Sequence, residues 1–441
     1  MKETVLQFGT GNFLRGFADS FIDSMNKRGI YDGKVVIVSP TNSKTVEKLN
    51  GQNCKYHLML RGIKDGEKFC EASYIESVSM AINPYSDFDS FISLASSKDL
   101  RFVISNTTEA GITFDPSCKF SDRPASSFPA KLTQLLYARY KSGLSGFVIL
   151  SCELIDDNGR KLQKCVLDYA ALWELGDDFA AWIRSENAFC STLVDRIVTG
   201  YPKDEAEDIF KQLDCRDELL DTAEPYHLWV IAGDYENELP LVKAGFNVIW
   251  TDDVSPYKKM KVRILNGSHT SLVFPSLLCG VETVGESLND PLLRKFLDTC
   301  LFGYILPALG ETPENRSFAS AVLERFANPY IRHMWKSISL NSVSKFSARV
   351  LPTVNDCVKD SGAVPKVFAF SLACLIEYYK TRDVSDDANA AEFIKNNSAA
   401  EILAESWLWG EDLSFMLEVV EESLERIHCD GIREALEWAV S

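Results

Sequence analysis

The first 255 residues alternate short apolar segments with helical patterns, and this alternation limits the fold more than any other feature of the chain. Four short segments are mostly apolar, at residues 4–8, 34–38, 101–105 and 146–150. Helical patterns separate them, as at residues 130–141. A strand that is apolar on both sides must be covered on both faces. The pattern therefore predicts a parallel sheet with helices packed on either side, in an α/β domain.

Strand patterns nearly disappear after Ser255-Pro256, and helical patterns continue to the last residue. Proline is tolerated in the first turn of a helix, so Pro256 is compatible with a helix that starts there. A chain of 441 residues is also too long for one ordinary core. We therefore predict an α/β domain with insertions at residues 1–255 and a mostly α-helical domain at residues 256–441.

Composition excludes several classes of protein. A formal net charge of −17 disfavours nucleic acid and acidic membranes as partners, and any anionic ligand needs a local cluster of cations. The 12 cysteines form no C-x-x-C pair, which suits a reducing compartment and argues against a zinc site. No long apolar segment indicates a membrane span or a signal peptide. The expected location is the cytoplasm.

A glycine turn follows the first predicted strand directly. Gly9 and Gly11 form a G-x-G sequence that leads into a helical pattern at residues 13–28, although Leu14 stands where a third glycine is usual. Such a turn lets a backbone approach a pyrophosphate at a helix N-terminus. The position of the turn favours a dinucleotide site of the Rossmann type over a plain structural turn. The predicted cofactor contacts are Gly9, Thr10, Gly11, Asn12 and Phe13.

Polar residues at the ends of two further strands complete the predicted cofactor site. Ser39 and Thr41 follow the second strand, where neither a carboxylate nor an arginine is present to select between NAD and NADP. Asn106, Thr107 and Glu109 follow another strand, at the sheet edge where ligands of parallel sheets bind. NAD is the predicted cofactor, and NADP is not excluded.

The chemistry is concentrated in a helix-like segment that contains Lys261, Asn266 and His269. At roughly 100° per residue, the three side chains share one half of a helix. Gly267 lies among them, where glycine costs about 1 kcal/mol relative to alanine, and close approach of a ligand is one reason to keep it. An amphipathic helix with a polar face is the alternative interpretation.

Several motifs in order carry a resemblance to a known family. They are Gly9-x-Gly11-Asn-Phe-x-Arg15, Asn106-Thr-Thr-Glu109, Val194-Asp195-Arg196-Ile197, Ala223-Glu224-Pro225-Tyr226-x-x-Trp229, Lys261-x-x-x-Leu265-Asn266-Gly267-x-His269 and Arg325-Phe-Ala-Asn328-Pro329. Together they resemble the mannitol dehydrogenase family of polyol-specific long-chain dehydrogenases, from residue 5 to about residue 352. The resemblance implies an NAD(P)-dependent oxidoreductase that needs no zinc, with a Rossmann-type N-terminal domain and a helical C-terminal domain.

The resemblance also implies roles for individual residues. Lys261 matches the catalytic lysine that acts as general acid/base on the reacting oxygen. Asn266 matches the carboxamide that polarises the carbonyl, and His269 matches the imidazole that orients the substrate. Asp195 and Glu153 match acidic positions close to the substrate.

One departure from mannitol dehydrogenases points to a different substrate. Those enzymes carry an asparagine after the acid of the Ser-Cys-acid motif, where this chain has Leu154. The segments at residues 152–159, 192–202 and 340–352 are most similar to a branch of the family that acts on uronates, and Lys345 and Arg349 lie in the last of them. A uronate carboxylate needs a cation partner. The candidates are Arg325, Arg332, His333, Lys345 and Arg349, with Lys345 and Arg349 preferred.

Other functions remain open on these grounds. A fructuronate reductase and a mannitol-type polyol dehydrogenase would use the same scaffold. A non-catalytic dinucleotide sensor is a more distant alternative, against which the joint presence of Lys261, Asn266 and His269 argues. The sequence indicates no oligomeric state.

Overall fold

The computed structural model describes residues 1–441 and divides the chain into two compact units. The N-terminal unit comprises Met1–Arg61 and Lys68–Ser255. The C-terminal unit comprises Pro256–Ser441 together with the short segment Gly62–Glu67. Nothing in the sequence pattern indicates that Gly62–Glu67 groups with the C-terminal unit.

The strands are numbered in chain order. They are β1 (Lys2–Phe8), β2 (Gly33–Val38), β3 (Tyr56–Lys64), β4 (Glu67–Ile75), β5 (Val78–Ile82), β6 (Phe102–Ser105), β7 (Val148–Ser151), β8 (Ala188–Asp195), β9 (Asp221–Ala223), β10 (Leu228–Ala232) and β11 (Val248–Thr251). Eight of them form one sheet in the order β11-β10-β8-β7-β6-β1-β2-β5, and β4-β3-β9 form a second, smaller sheet.

Six strands of the large sheet run parallel, from β5 to β8. Numbered among themselves in chain order, they are arranged 3-2-1-4-5-6, which is the order of dinucleotide-binding sheets. The predicted parallel sheet is confirmed for these strands. The sheet also contains β10 and β11, which the sequence predicts as strands near residues 226–231 and 246–250. β10 pairs antiparallel with β8, and β11 pairs parallel with β10.

Strands β1 and β2 carry apolar residues on both sides because both faces of the large sheet are buried. Val5 of β1 packs into one core, whereas Leu6 and Phe8 pack into the core on the opposite face. Alternate residues of β2 divide in the same way. The helices of the N-terminal unit are α1 (Asn12–Arg15), α2 (Ala18–Lys27), α3 (Thr45–Gly51), α4 (Phe88–Ser93), α5 (Phe128–Lys141), α6 (Asn158–Leu172), α7 (Asp177–Glu186) and α8 (Ala206–Leu213).

The C-terminal unit is built from helices, as predicted. They are α9 (Ser255–Lys261), α10 (Gly267–Leu278), α11 (Val284–Asn289), α12 (Pro291–Cys300), α13 (Leu306–Leu309), α14 (Pro313–Phe326), α15 (Trp335–Ile338), α16 (Ser342–Arg349), α17 (Leu351–Ser361), α18 (Lys366–Thr381), α19 (Ala388–Asn396), α20 (Ala399–Ala404), α21 (Ser406–Trp409), α22 (Leu417–Cys429) and α23 (Ile432–Ala439). Two π-helical turns, Val262–Asn266 and Leu301–Ile305, join α9 to α10 and α12 to α13. Not one of these helices combines the length and the apolar character that crossing a bilayer requires.

Candidate functional site

The predicted dinucleotide turn begins at Gly9, where only glycine fits. Its φ is +143°, which side chains rarely allow, and a Cβ there would lie 2.8 Å from the carbonyl oxygen of Asn106. The Gly9 N–H donates to the carbonyl of Val38 at 3.2 Å. The turn is therefore held between the ends of β2 and β6.

Gly11 leaves open space where a ligand can approach. It caps the first turn of α1, and no atom lies within 4 Å of the position of a Cβ on it. The first N–H groups of a helix lack partners inside the helix and attract anions. These features fit a pyrophosphate over the turn, with Thr10 half-buried and Asn12 exposed beside it.

The helix after the turn is shorter than the sequence predicts. A single helix over residues 13–28 is wrong, because the chain breaks at Gly16-Phe17 between α1 and α2. Phe17 has φ −129° and ψ −94°, outside the helical region. The ring of Phe13 stacks on that of Phe17 at 5.0 Å, so part of its surface packs within the fold.

The two predicted ribose contacts at the end of β2, Ser39 and Thr41, differ in their exposure to solvent. Ser39 is fully buried, and its hydroxyl donates to the carbonyl of Thr41 at 2.6 Å. Its side chain therefore shapes the turn. Thr41 is exposed, and so is the neighbouring Asn42, whose Oδ1 accepts from Asn83 at 3.0 Å.

The residues after β6 are held in place by Glu153. One oxygen of Glu153 accepts from the backbone N–H and the hydroxyl of Thr107, both at 3.1 Å, and the other accepts from Ser105 at 3.0 Å. Asn106 donates to the carbonyl of Cys152 at 2.6 Å, and Glu109 lies exposed in a short 3₁₀ turn. Burial raises the pKa of Glu153, and these hydrogen bonds oppose that effect. Glu153 thus contacts residues of the predicted cofactor site, where the sequence predicted a substrate contact.

Asp195, the other predicted acid, is the last residue of β8 and is buried. Its Cα pairs with that of Leu228 in the antiparallel part of the sheet. Asp195 therefore lies where the parallel part of the sheet meets its antiparallel extension.

In the C-terminal unit, a π-helical turn separates Lys261 from Asn266. Lys261 is the last residue of α9, and the N–H of Gly267 donates to the carbonyl of Val262, five residues earlier. In a π-turn, residues five apart lie nearly above one another, so Lys261 and Asn266 lie closer to one face than in the regular helix that the sequence predicts. Turns of this kind often occur at functional sites.

Gly267 is required by packing inside the C-terminal unit. A Cβ on Gly267 would lie 3.1 Å from the carbonyl oxygen of Arg349 and 3.8 Å from Cδ1 of Ile305. The close approach that the sequence attributed to a ligand is therefore made by the end of α16.

His269 lies in an aromatic pocket of the same unit. Its ring stacks on Phe326 with centroids 4.1 Å apart and contacts His333 and Trp335 edge to face, at 5.2 and 6.1 Å. Its Nε2 atom is buried and has no hydrogen-bond partner. Burial and the nearby positive charges hold the pKa of His269 well below its ordinary value. The imidazole is therefore neutral at physiological pH, with one ring nitrogen available to a ligand.

Three cationic side chains, Arg325, Arg349 and Lys345, act on His269. A second imidazole, His333, also opposes its protonation, and burial lowers the pKa of His333 itself. Burial lowers the pKa of Arg349, and burial together with Arg349 lowers that of Lys345, whose amine donates to the carbonyl of Ile338 at 2.9 Å. Such a cluster is suited to bind an anion such as a carboxylate.

Two neighbouring arginines do not belong to this cluster. Arg332 is exposed and pairs with Glu282 at 3.4 Å. Arg263 donates to Thr353 at 2.7 Å and pairs with Asp356 at 3.0 Å. Four of the five candidate carboxylate partners, Arg325, His333, Lys345 and Arg349, therefore lie near His269. The aromatic walls of the pocket, Phe326 and Trp335, were not predicted from the sequence.

The strand order and the glycine turn define the N-terminal unit as a dinucleotide-binding domain of the Rossmann type. The model of the mannitol dehydrogenase Rossmann domain matches residues 3–243, and that of the mannitol dehydrogenase C-terminal domain matches residues 253–428. The chain belongs to the mannitol dehydrogenase family. The predicted family, fold and oxidoreductase class are confirmed.

Two relatives and two solved structures are similar to this chain along nearly its whole length. An altronate oxidoreductase of Bacillus subtilis is 41% identical and covers 99% of this chain and 95% of the relative. One from Shigella flexneri serotype 5b is 42% identical and covers 98% and 96%. A structure of D-sorbitol dehydrogenase has a TM-score of 0.87 and 23% sequence identity, and the match covers 99% of this chain and 95% of that one. The structure of Pseudomonas fluorescens mannitol 2-dehydrogenase with NAD and D-mannitol has a TM-score of 0.73 and 22% identity, and the match covers 99% of this chain and 94% of that one. These two structures support the fold.

Proposed function

We propose that this protein is an NAD(H)-dependent oxidoreductase that interconverts D-tagaturonate and D-altronate. The observation that carries the proposal is the 41–42% identity, over nearly the full length, to relatives named altronate oxidoreductase. The cationic cluster around His269 supports an acidic sugar as substrate, because it provides a partner for a carboxylate in a chain of net charge −17.

NAD is the proposed cofactor, and it supplies the hydride when it is bound. Gly11 and the first N–H groups of α1 would hold its pyrophosphate, and Thr41 would contact the adenosine ribose. The Rossmann domain of the family model supports this assignment, and so does the NAD in the related mannitol 2-dehydrogenase. No carboxylate follows β2 to disfavour the 2′-phosphate of NADP, and no arginine follows it to bind that phosphate.

The proposed roles in the C-terminal unit are those that the family motif implies. Lys261 gives a proton to the carbonyl oxygen during reduction and takes it back during oxidation, which is general acid/base catalysis without a metal. Asn266, whose carboxamide makes no capping hydrogen bond at the start of α10, donates to the developing alkoxide. His269 orients a hydroxyl group through its unpartnered Nε2.

The substrate carboxylate is assigned to Arg349 and Lys345. The guanidinium of Arg349 forms no ion pair with an acid of the C-terminal unit, and planar guanidinium groups bind carboxylates through two hydrogen bonds. Lys345 lies one helical turn before Arg349 on α16, so both cations are on one face. Asp195 remains a proposed substrate-side acid, and Glu153 is reassigned to positioning of the cofactor loop.

Oxidation of NADH with a panel of ketoses tests the proposal. Tagaturonate should react faster than fructuronate, and both acids should react much faster than the neutral ketose fructose. Fastest turnover of fructuronate would assign the chain to its sister reaction. Turnover of fructose equal to that of tagaturonate would refute the carboxylate assignment and favour a mannitol-type polyol dehydrogenase. Absence of turnover with every sugar, despite NADH binding, would favour the dinucleotide sensor.

A further inference from the structure

The one-turn helix that follows Gly11 is held in place by a buried arginine. Arg15 donates from Nη2 to Oδ1 of Asn12 and from Nη1 to the carbonyl of Leu219, both at 2.5 Å. Its guanidinium lies over the ring of Tyr56, 5.1 Å from the centroid. Because Asn12 directly follows Gly11, the position of the dinucleotide turn depends on Arg15.

The loop after β8 holds the same helix from another side. Arg196 donates from Nη1 to the carbonyl of Gly16 at 2.9 Å. A Cβ on Gly200 would lie 2.2 Å from Nδ2 of Asn12, so this loop touches the side chain that Arg15 also binds. The helix α1 is therefore fixed by two buried arginines, each of which places positive charge close to the turn.

Two fully buried carboxyl groups lie beside these arginines. Oδ2 of Asp19 accepts from the hydroxyl of Tyr56 at 3.3 Å and from Nε2 of Gln7 at 3.5 Å, whereas Oδ1 has no partner. Oδ1 of Asp221 accepts only from the N–H of Thr222 at 2.9 Å, and Oδ2 has no partner. A buried carboxylate with an unsatisfied oxygen is strongly disfavoured in its charged form.

One buried acceptor next to these groups, Oε1 of Gln7, has no hydrogen-bond donor, and a protonated acid is a donor. Oε1 of Gln7 is buried and accepts from nothing, although the same side chain donates to Asp19 and to the carbonyl of Gly9 at 3.1 Å. A neutral carboxyl group on Asp19 carries an O–H donor into this interior, where Oε1 of Gln7 and Oδ1 of Asp19 are unsatisfied acceptors. Gln7 also links Asp19 directly to the backbone of the dinucleotide turn.

The charged groups around Asp19 and Asp221 are compatible with protonation of these two carboxyl groups near neutral pH. Burial raises the pKa of Asp19 and of Asp221 to about 7, and Arg15 opposes the shift at both. The other titratable or charged groups that face them are Tyr56, Asp23 and Cys54 at Asp19, and Arg196 and Tyr56 at Asp221. A new negative charge on the turn would shift this balance toward the neutral acids.

We propose that Asp19 and Asp221 take up a proton when an anionic pyrophosphate occupies the dinucleotide turn, with Gln7 and Arg15 as the positioning residues that connect the carboxyls to the turn. This inference rests on the proposed function, since NAD(H) is the ligand that brings the pyrophosphate. The proton comes from solvent and binds a carboxylate oxygen. Its uptake removes a negative charge next to Arg15, whose positive charge then acts on the pyrophosphate undiminished.

The experiment is a calorimetric titration of the full-length protein with NADH, in two buffers of different ionisation enthalpy, from about pH 6 to about pH 8. The buffer dependence of the enthalpy measures protons taken up, and the affinity should fall roughly three- to tenfold across this range. Asp19→Asn should reduce both the proton uptake and the pH dependence. Asp208→Asn is the control, an exposed acid on α8 that pairs with Lys211 and does not act on either buried carboxyl, and it should change neither.

The outcomes separate this inference from the proposed function. NADH binding without proton uptake in the wild-type protein would overturn the inference and leave the proposed function standing. Uptake that persists in both Asp19→Asn and Asp221→Asn would overturn it as well. Failure of NADH to bind at any pH would overturn the proposed function and this inference together. The wild-type titration alone can refute the inference, so the test remains decisive even if the Asp19→Asn variant does not fold.

Discussion

The backbone N–H of Gly267 donates to the carbonyl oxygen of Val262, five residues earlier in the chain. This bond defines the π-turn that lies between Lys261 and Asn266. The close packing of Gly267 on the carbonyl of Arg349 fixes the same turn against the end of α16. The proposed acid/base and the proposed carboxylate clamp are therefore parts of one rigid arrangement within the C-terminal unit.

The first prediction concerns Gly267. Gly267→Ala should lower the free energy of unfolding by about 1–3 kcal/mol, because its Cβ would press on backbone that cannot easily move. Chemical denaturation monitored by circular dichroism measures the change. Gly303→Ala is the matched control, since the nearest atom to a Cβ in that second π-turn is Cγ2 of Thr299 at 3.8 Å. Equal stability of the two variants would show that Gly267 is not confined by packing.

Lys261→Ala should lower kcat/KM by about 10²- to 10⁴-fold, the contribution typical of a general acid/base, and leave the Kd of NADH unchanged. Steady-state kinetics with tagaturonate and an NADH titration measure the two effects. Lys259→Ala removes an exposed amine from the same helix and should have no effect. Turnover that survives the Lys261 change would remove the lysine from the mechanism.

Arg349→Gln should raise KM for tagaturonate by roughly ten- to a hundredfold, because a charge-assisted pair of hydrogen bonds to the carboxylate is lost. Activity with a neutral ketose, however slow, should not change. Arg382→Gln, at an exposed position after α18, serves as the charge-matched control. A similar loss with acidic and neutral sugars would mean that Arg349 supports the fold and does not bind the carboxylate.

Glu153→Gln should weaken NADH binding and lower the free energy of unfolding by about 1–3 kcal/mol, because an amide group replaces one acceptor oxygen that Ser105 or Thr107 now occupies. KM for the sugar acid should change less than the Kd of NADH. The reverse pattern, with cofactor affinity preserved and KM raised, would restore the substrate contact that the sequence predicted.

Acid should destabilise the protein through His269. Burial and neighbouring cations lower the pKa of His269 well below 6.5, and burial lowers that of His333. Below about pH 6.5 the unfolded chain therefore binds more protons than the native protein. The free energy of unfolding is unaffected by these histidines above that pH and falls as the pH is lowered. The decrease is up to about 1.4 kcal/mol per pH unit for each histidine. Urea denaturation at a series of pH values should show this slope, and a shallower one in His269→Gln. An unchanged slope in that variant would contradict the argument.

Local patterns in the chain were sufficient to predict the architecture of the parallel sheet and the helical C-terminal half. The apolar strands at β1, β2, β6 and β7 show burial on both faces, because a solvated face would require polar residues at alternate positions. Gly9 and Gly11 were recognisable because a strand followed by this turn has few conformational alternatives. The family motifs added the candidate residues Lys261, Asn266 and His269.

Contacts between residues far apart in sequence decided the rest. Glu153 matches an acidic position close to the substrate in the family, yet its oxygens accept hydrogen bonds from Ser105 and Thr107. The close packing of Gly16 and of Gly267 each involves a residue from a distant part of the chain, Val198 and Arg349. A sequence displays periodicity, charge and backbone preference, but whether a polar atom is already satisfied depends on which distant groups the fold brings within hydrogen-bond distance.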